Sequence, residues 1–207
     1  MLKFIPLLIF FFLSFLYASV SPIDVQSVKF DNVKVGKYDW IQIEVKTIAP
    51  ASSNFKIPDQ QNTRFLDNIE MTLSLCYDNR EQKTKDFYQS TIKIISKEKG
   101  NACYAYFYIP GIVVERDRLS KNPFAWMIEF SLSGNKIPND PKRFKNNFSP
   151  ILDSTADIES FLSNLDLGIE KNEGVLLPFY LAPDSVRRSE RYSDKLLQCY
   201  HLYPSVE

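Results

Sequence analysis

The residues of this chain that could do chemistry are few, and their spacing argues against most of it. The one histidine, His201, lies in the C-terminal tail. A Ser-His-Asp or Cys-His arrangement needs its imidazole folded back over the chain, and no second catalytic partner is recognisable near it. The three cysteines, Cys76, Cys103 and Cys199, lack the clustered Cys/His spacing that transition metals take. Glu115 and Asp117 stand beside Arg116 and Arg118 and read as a solvated, self-paired surface turn. With six glycines in the whole chain there is no Gly-rich phosphate loop. No catalytic residue, cofactor or metal site is assigned, and the chain reads as non-enzymatic.

The aromatic residues offer a different kind of site. Tyr104, Tyr106 and Tyr108 share one face of the segment 102–109, opposite Cys103, Ala105, Phe107 and Ile109. An exposed tyrosine ladder can stack sugars or hold a partner strand, so these three form the candidate binding surface. The competing reading is that a C-terminal helix covers them, which explains why both faces of this stretch are apolar. Asn147-Phe148-Ser149 matches the glycosylation triplet, which arises often by chance and matters only in a eukaryotic secretory host.

The elements that position these residues are mostly strands. NIEMTLSLCYD (68–78) puts Ile69, Met71, Leu73 and Leu75 on one face, with Glu70, Thr72 and Ser74 on the other. FYQSTIKIIS (87–96) alternates likewise, with Tyr88, Ser90, Ile92 and Ile94 together. KEKGN (97–101) supplies a tight polar turn into ACYAYFYI (102–109). Earlier, DVQSVKF (24–30) carries Val28 and Phe30 on one side. YDWIQIEVKTI (38–48) points Ile41, Ile43, Val45 and Thr47 inward and Gln42, Glu44 and Lys46 to water. Residues 49–64 make a long polar loop, unusual in a compact domain, that reads equally as a partner-contacting loop or as slack. PGIVVERDRL (110–119) fits a turn or two of helix. FAWMIEFSL (124–132) follows with Phe124, Trp126, Ile128, Phe130 and Leu132 inward, and Ser133-Gly134-Asn135 turns the chain. Asp153 or Ser154 can cap a helix that buries Ile158, Phe161, Leu162 and Leu165 and ends at Gly168. GVLLPFYLAP (174–183) reads as a last strand, placed at an edge by Pro178.

Strand parity also bears on the thiols. Cys76 falls with the wet residues of its strand and Cys103 with the core residues of its own. A Cys76–Cys103 bridge needs converging Cβ vectors and is not expected. Both thiols are expected free, and any bridge has to involve Cys199.

About seven strands of this size predict a mainly β chain, an immunoglobulin-like antiparallel β-sandwich with a C-terminal helix and edge strand. The expected division is a signal peptide at 1–18, a sandwich core at 19–138, a helix plus final strand packed on it at 139–183, and a tail at 184–207. The leader rests on Lys3, the apolar run Phe4 to Leu16, and small residues up to Ala18, too short a run to span a bilayer comfortably. Cleavage after Ala18 places the product in the periplasm or at the cell surface. An uncleaved leader is the alternative and the only expected membrane contact. Lys and Arg number 25 against 25 Asp and Glu, which argues against nucleic-acid binding.

NIEMTLSLCYD, GNACYAYFYIPGIVVERDRL (100–119), NPFAWMIEF (122–130) and GVLLPFYLAP together resemble a family of exported proteins from verrucomicrobial bacteria. The similarity spans roughly residues 22 to 183. It implies an immunoglobulin-like fold and an association with type IV pilus-like assembly genes, and it carries over no functional residues. The function expected is protein–protein interaction by an exported β-sandwich. Its partners would be other copies of the chain or components of a pilus-like assembly. The alternative is an adhesive module that binds a glycan or other ligand through an aromatic face or the 49–64 loop.

Overall fold

The computed structural model describes residues 22–51, 64–79, 84–187 and 201–202. The expected leader, most of the 49–64 loop and most of the 184–207 tail lie outside them. Six long strands carry the fold: β1 (Asp24–Val35), β2 (Tyr38–Ile48), β3 (Phe65–Asn79), β4 (Thr84–Glu98), β5 (Ala102–Ile109) and β6 (Ala125–Leu132). Among the described residues three two-residue strands extend the sheets: β7 (Asn135–Lys136), β8 (Leu177–Pro178) and β9 (His201–Leu202). The helices are α1 (Gly111–Arg116), α2 (Thr155–Gly168) and α3 (Asp184–Arg187). The strands form two antiparallel sheets, β1-β2-β5-β8 and β7-β6-β3-β4-β9, packed as the expected sandwich.

The core between the sheets follows period-2 alternation. Ile41, Ile43 and Val45 of β2 meet Ile69, Met71, Leu73 and Leu75 of β3, all with no exposed surface. Each such aliphatic side chain stabilises the fold by about 1.5–3 kcal/mol when fully buried. Gly36 at φ +62 opens the two-residue turn that joins β1 to β2 and pairs Val35 with Tyr38. Glycine first in such a turn matches the right-handed twist of the flanking strands.

Residues 97–101 do turn the chain, but not as a hairpin. β4 and β5 belong to different sheets. The amide of Lys99 donates to the Arg64 carbonyl at 2.9 Å, at the start of β3 in the larger sheet, and that of Gly100 to the Ala49 carbonyl at 2.7 Å, at the end of β2 in the smaller one. The turn therefore spends its donors on both sheets and carries the chain from one to the other, with Gly100 at φ +84. The last strand also differs from expectation. Only Leu177 and Pro178 pair with β5, and Phe179–Leu181 winds into a 3-10 turn. Pro178 does sit in an edge strand. Phe124 is not inward: its ring is 43 % exposed beneath Lys85, whose Nζ lies 3.1 Å from the ring centroid.

Helix α2 starts at Ser154, whose hydroxyl accepts from the Asp157 amide at 3.2 Å, and packs Ile158, Phe161 and Leu165 on the outer face of the larger sheet. That cover corrects the reading of Cys76. It points outward as parity demands, yet α2 buries it to 2 % exposure, and desolvation pushes its thiol up to about 11. Cys76 is free. Cys103 faces the core as expected but is disulfide-bonded rather than free. Parity excludes one partner without deciding whether another reaches Cys103.

Candidate functional site

The tyrosine ladder occupies the outer face of the smaller sheet, where Tyr104, Tyr106 and Tyr108 stand opposite Lys46, Glu44 and Gln42 of β2. Tyr106 and Tyr108 are 3 % and 0 % exposed, and Tyr104 is half-buried. The cover comes from the segment after β8, through Ala182, Val186 and Phe179, and not from the long helix α2. Gln42, expected in water, is buried with them and donates from Nε2 to the Tyr108 hydroxyl at 3.3 Å. The Tyr106 hydroxyl donates to Glu44 at 2.8 Å, and Lys46 Nζ lies 5.9 Å from the Tyr104 ring. These polar tips are bonded among themselves, so this face presents little free aromatic surface.

The charged turn after α1 is partly self-paired. Arg116 donates to both carboxylate oxygens of Asp117, at 2.7 and 2.6 Å, and holds that carboxyl below its ordinary range. Asp117 also accepts from the Tyr88 hydroxyl at 3.2 Å, capping one end of the sandwich. Burial, with Asp117 and Asp86 nearby, raises Tyr88 well above the usual tyrosine range. Below it the Tyr77 ring meets Tyr88 edge-on at 5.8 Å, and its buried hydroxyl has no hydrogen-bond partner among the described residues. These groups tie α1 to the sheet ends. His201 pairs through its backbone with Ile94 of β4. Among the described residues no group of three or more His, Cys, Asp or Glu side chains could hold a metal.

The open surface lies on the opposite flank. Residues 139–150 run back along β6, where Met127 bridges Phe148 and the Ser149 amide donates to Trp126 at 2.9 Å. Between this segment and β1 is a slot of about 630 Å³. Gln26, Ser27 and Val28 form one wall, half-buried Trp126 lies among its lining residues, and Lys142, Lys145 and Asp153 stand on the other side.

No family model matches the chain, and no curated protein matches it. One crystal structure from Akkermansia muciniphila, a verrucomicrobial bacterium, superimposes on it with a TM-score of 0.61 at 12 % identity. The match covers 88 % of this chain and 93 % of that chain. At so low an identity the likeness speaks for the fold. The chain is an immunoglobulin-like β-sandwich.

In that sandwich β1 is an edge strand, paired among the described residues only with β2. A two-residue turn closes on a hydrogen-bonded pair, and such pairs alternate along an antiparallel ladder. Val35, Val33, Asp31 and Lys29 therefore turn their amides and carbonyls toward β2. Lys34, Asn32, Phe30 and Val28 turn theirs to the free edge. No backbone hydrogen bond reaches that edge from another described segment. Sequence reading ended β1 at Phe30 and found neither the edge nor the slot. The one local signal was Val33 and Val35 ahead of Gly36.

Proposed function

We propose that this protein is an exported, non-enzymatic β-sandwich that binds other proteins, in the setting of a pilus-like surface assembly. The observation that carries the reading is the long unpaired edge of β1 beside the slot. Extended segments add to such edges through main-chain hydrogen bonds and take specificity from side-chain pockets alongside. The outer sheet faces are covered at the tyrosine ladder and under α2, which among the described residues favours the β1 flank as the recognition surface. The apolar run at 4–16 supports export, and no described helix is long and apolar enough to cross a membrane. The pilus-like setting rests on the sequence resemblance. A photo-crosslinking residue placed at Gln26 in the native envelope tests the reading. Protein adducts that vanish when the probe moves to Glu159 on α2 are expected. Equal labelling at both positions, or none, contradicts it.

A second reading, a glycan- or ligand-binding adhesive module, is favoured by the slot itself. Trp126 among Gln26, Asn146 and Asp153 is an aromatic and polar lining that suits a sugar. Loss of polysaccharide binding in Trp126→Ala with unchanged protein adducts would select it.

A further inference from the structure

The free edge of β1 is complementary to itself, and we propose that a second copy of this chain pairs with it, strand to strand and antiparallel, in a register centred on Phe30. The inference rests on the protein-binding reading above and names the partner.

Four observations lead to this register. β1 runs twelve residues and, among the described residues, pairs on one side only. The outward amides and carbonyls belong to Val28, Phe30, Asn32 and Lys34, so a second strand can bond only where those positions face one another. A two-fold axis through Phe30 does this: Phe30 meets Phe30 of the second copy, and Val28 meets Asn32. The same axis sets Lys29 of each copy directly across from Asp31 of the other, twice. Both side chains are exposed, at 62 % and 61 %, and lie on one face of the strand. Charges of opposite sign directly across an antiparallel pair attract, and like charges there repel.

Neighbouring registers fail this test. Moving the axis to Lys29 sets Lys29 against Lys29, and moving it to Asp31 sets Asp31 against Asp31. Of the registers the outward groups allow along this stretch, the one centred on Phe30 sets opposite charges directly across the pair twice, which is why it is preferred over an edge merely blunted by charge. Within the chain Lys29 already lies 3.5 Å from Glu44, and Asp31 lies 3.8 Å from Lys121, so the interface would join four charges on each side of its axis. The arrangement is isologous and closes at two copies. On the inner face it would cover Val28 and Phe30, which are only half-buried in the single chain.

Sedimentation of the secreted form over a range of concentrations, with the charge-swap set K29D, D31K and K29D/D31K, tests the proposal. The native chain is expected to dimerise. Each single change places like charges across the interface twice and should weaken the dimer by about tenfold. The double swap restores opposite charges across the interface, at the cost of like charges beside Glu44 and Lys121 within each copy, and should recover dimerisation beyond either single change. Melting temperatures taken alongside verify that every variant is folded, as exposed positions allow. A native chain that stays monomeric, single variants that dimerise as the native chain does, or a double swap no better than the singles would each overturn the pairing. A monomeric chain that still gives envelope adducts from Gln26 would overturn the pairing alone and leave the protein-binding reading standing.

Discussion

Lys171 Nζ sits 2.8 Å from Asp86 Oδ1, joining residues 85 positions apart in the chain. The carboxylate is buried on β4, with its side chain 3 % exposed, and also accepts from Asn79 Nδ2 at 2.9 Å. This contact ties the segment after α2 to the sandwich. Removing the ammonium in Lys171→Met leaves a buried charge with one neutral donor. The expected loss is about 1–3 kcal/mol in urea unfolding, with the fold retained. An unchanged midpoint would mean that Asp86 is satisfied without Lys171.

Lys97 gives a dependence on pH. Its residue is 2 % exposed, its Nζ donates to the Asn101 carbonyl at 2.8 Å, and desolvation lowers its pKa to about 8 from 10.5. The folded chain thus binds fewer protons than the unfolded chain between those values, and stability rises with pH through that window. The cost of burying the charge is fully present below pH 8. Cys76, Tyr77 and Tyr88, all raised by burial, act in the opposite sense once the unfolded thiol ionises near pH 9 and the unfolded tyrosines near pH 10. The rise is therefore read between pH 8 and 9. Lys97→Met should abolish it and add about 1–3 kcal/mol at pH 7. A slope equal to that of the native chain would contradict this.

The thiols yield a chemical prediction. Mass spectrometry of a non-reduced digest should find Cys76 alkylated by added reagent only after unfolding, and Cys103 in a linked peptide. Within one chain of three cysteines the remaining partner is Cys199. Closing so long a loop stabilises by roughly 4–5 kcal/mol on the chain-entropy estimate, so reduction should lower the melting temperature clearly. A Cys76–Cys103 peptide would reverse the assigned faces of β3 or β5.

Gly111 begins α1 against the start of β2. A Cβ there would stand 2.5 Å from the Tyr38 Cβ and 3.0 Å from the Trp40 ring. Gly111→Ala should cost about 1–3 kcal/mol through overpacking, despite the better helix propensity of alanine. Ile112→Ala next to it, at a side chain 61 % exposed, should be close to neutral. Equal effects would mean that α1 shifts freely on the sheet.

Alternation made the inner faces legible. The bounds of β2 and β5 coincide with their apolar runs, and Ile69 through Leu75 lie where period 2 places them. Alternation names a face without naming what covers it. Gln42 and Cys76 therefore looked wet although Tyr108 and α2 enclose them. The turn at 97–101 was visible, but glycine and polar residues serve a hairpin and a crossing between sheets equally well. The candidate site was hidden for the same reason. An edge is a property of sheet order, and the slot draws on β1, β6 and residues 141–153, which no local pattern connects.

Hydrogen exchange along β1 tests most directly the claim that its free edge is the interaction surface. In the dilute, unassembled chain the amides of Val28, Phe30, Asn32 and Lys34 should exchange fast, while those of Lys29, Asp31, Val33 and Val35 are protected by β2. On assembly the first set should become protected and the second change little. Uniform protection along β1 in the dilute chain, or a first set that stays fast in the assembled state, would contradict the account.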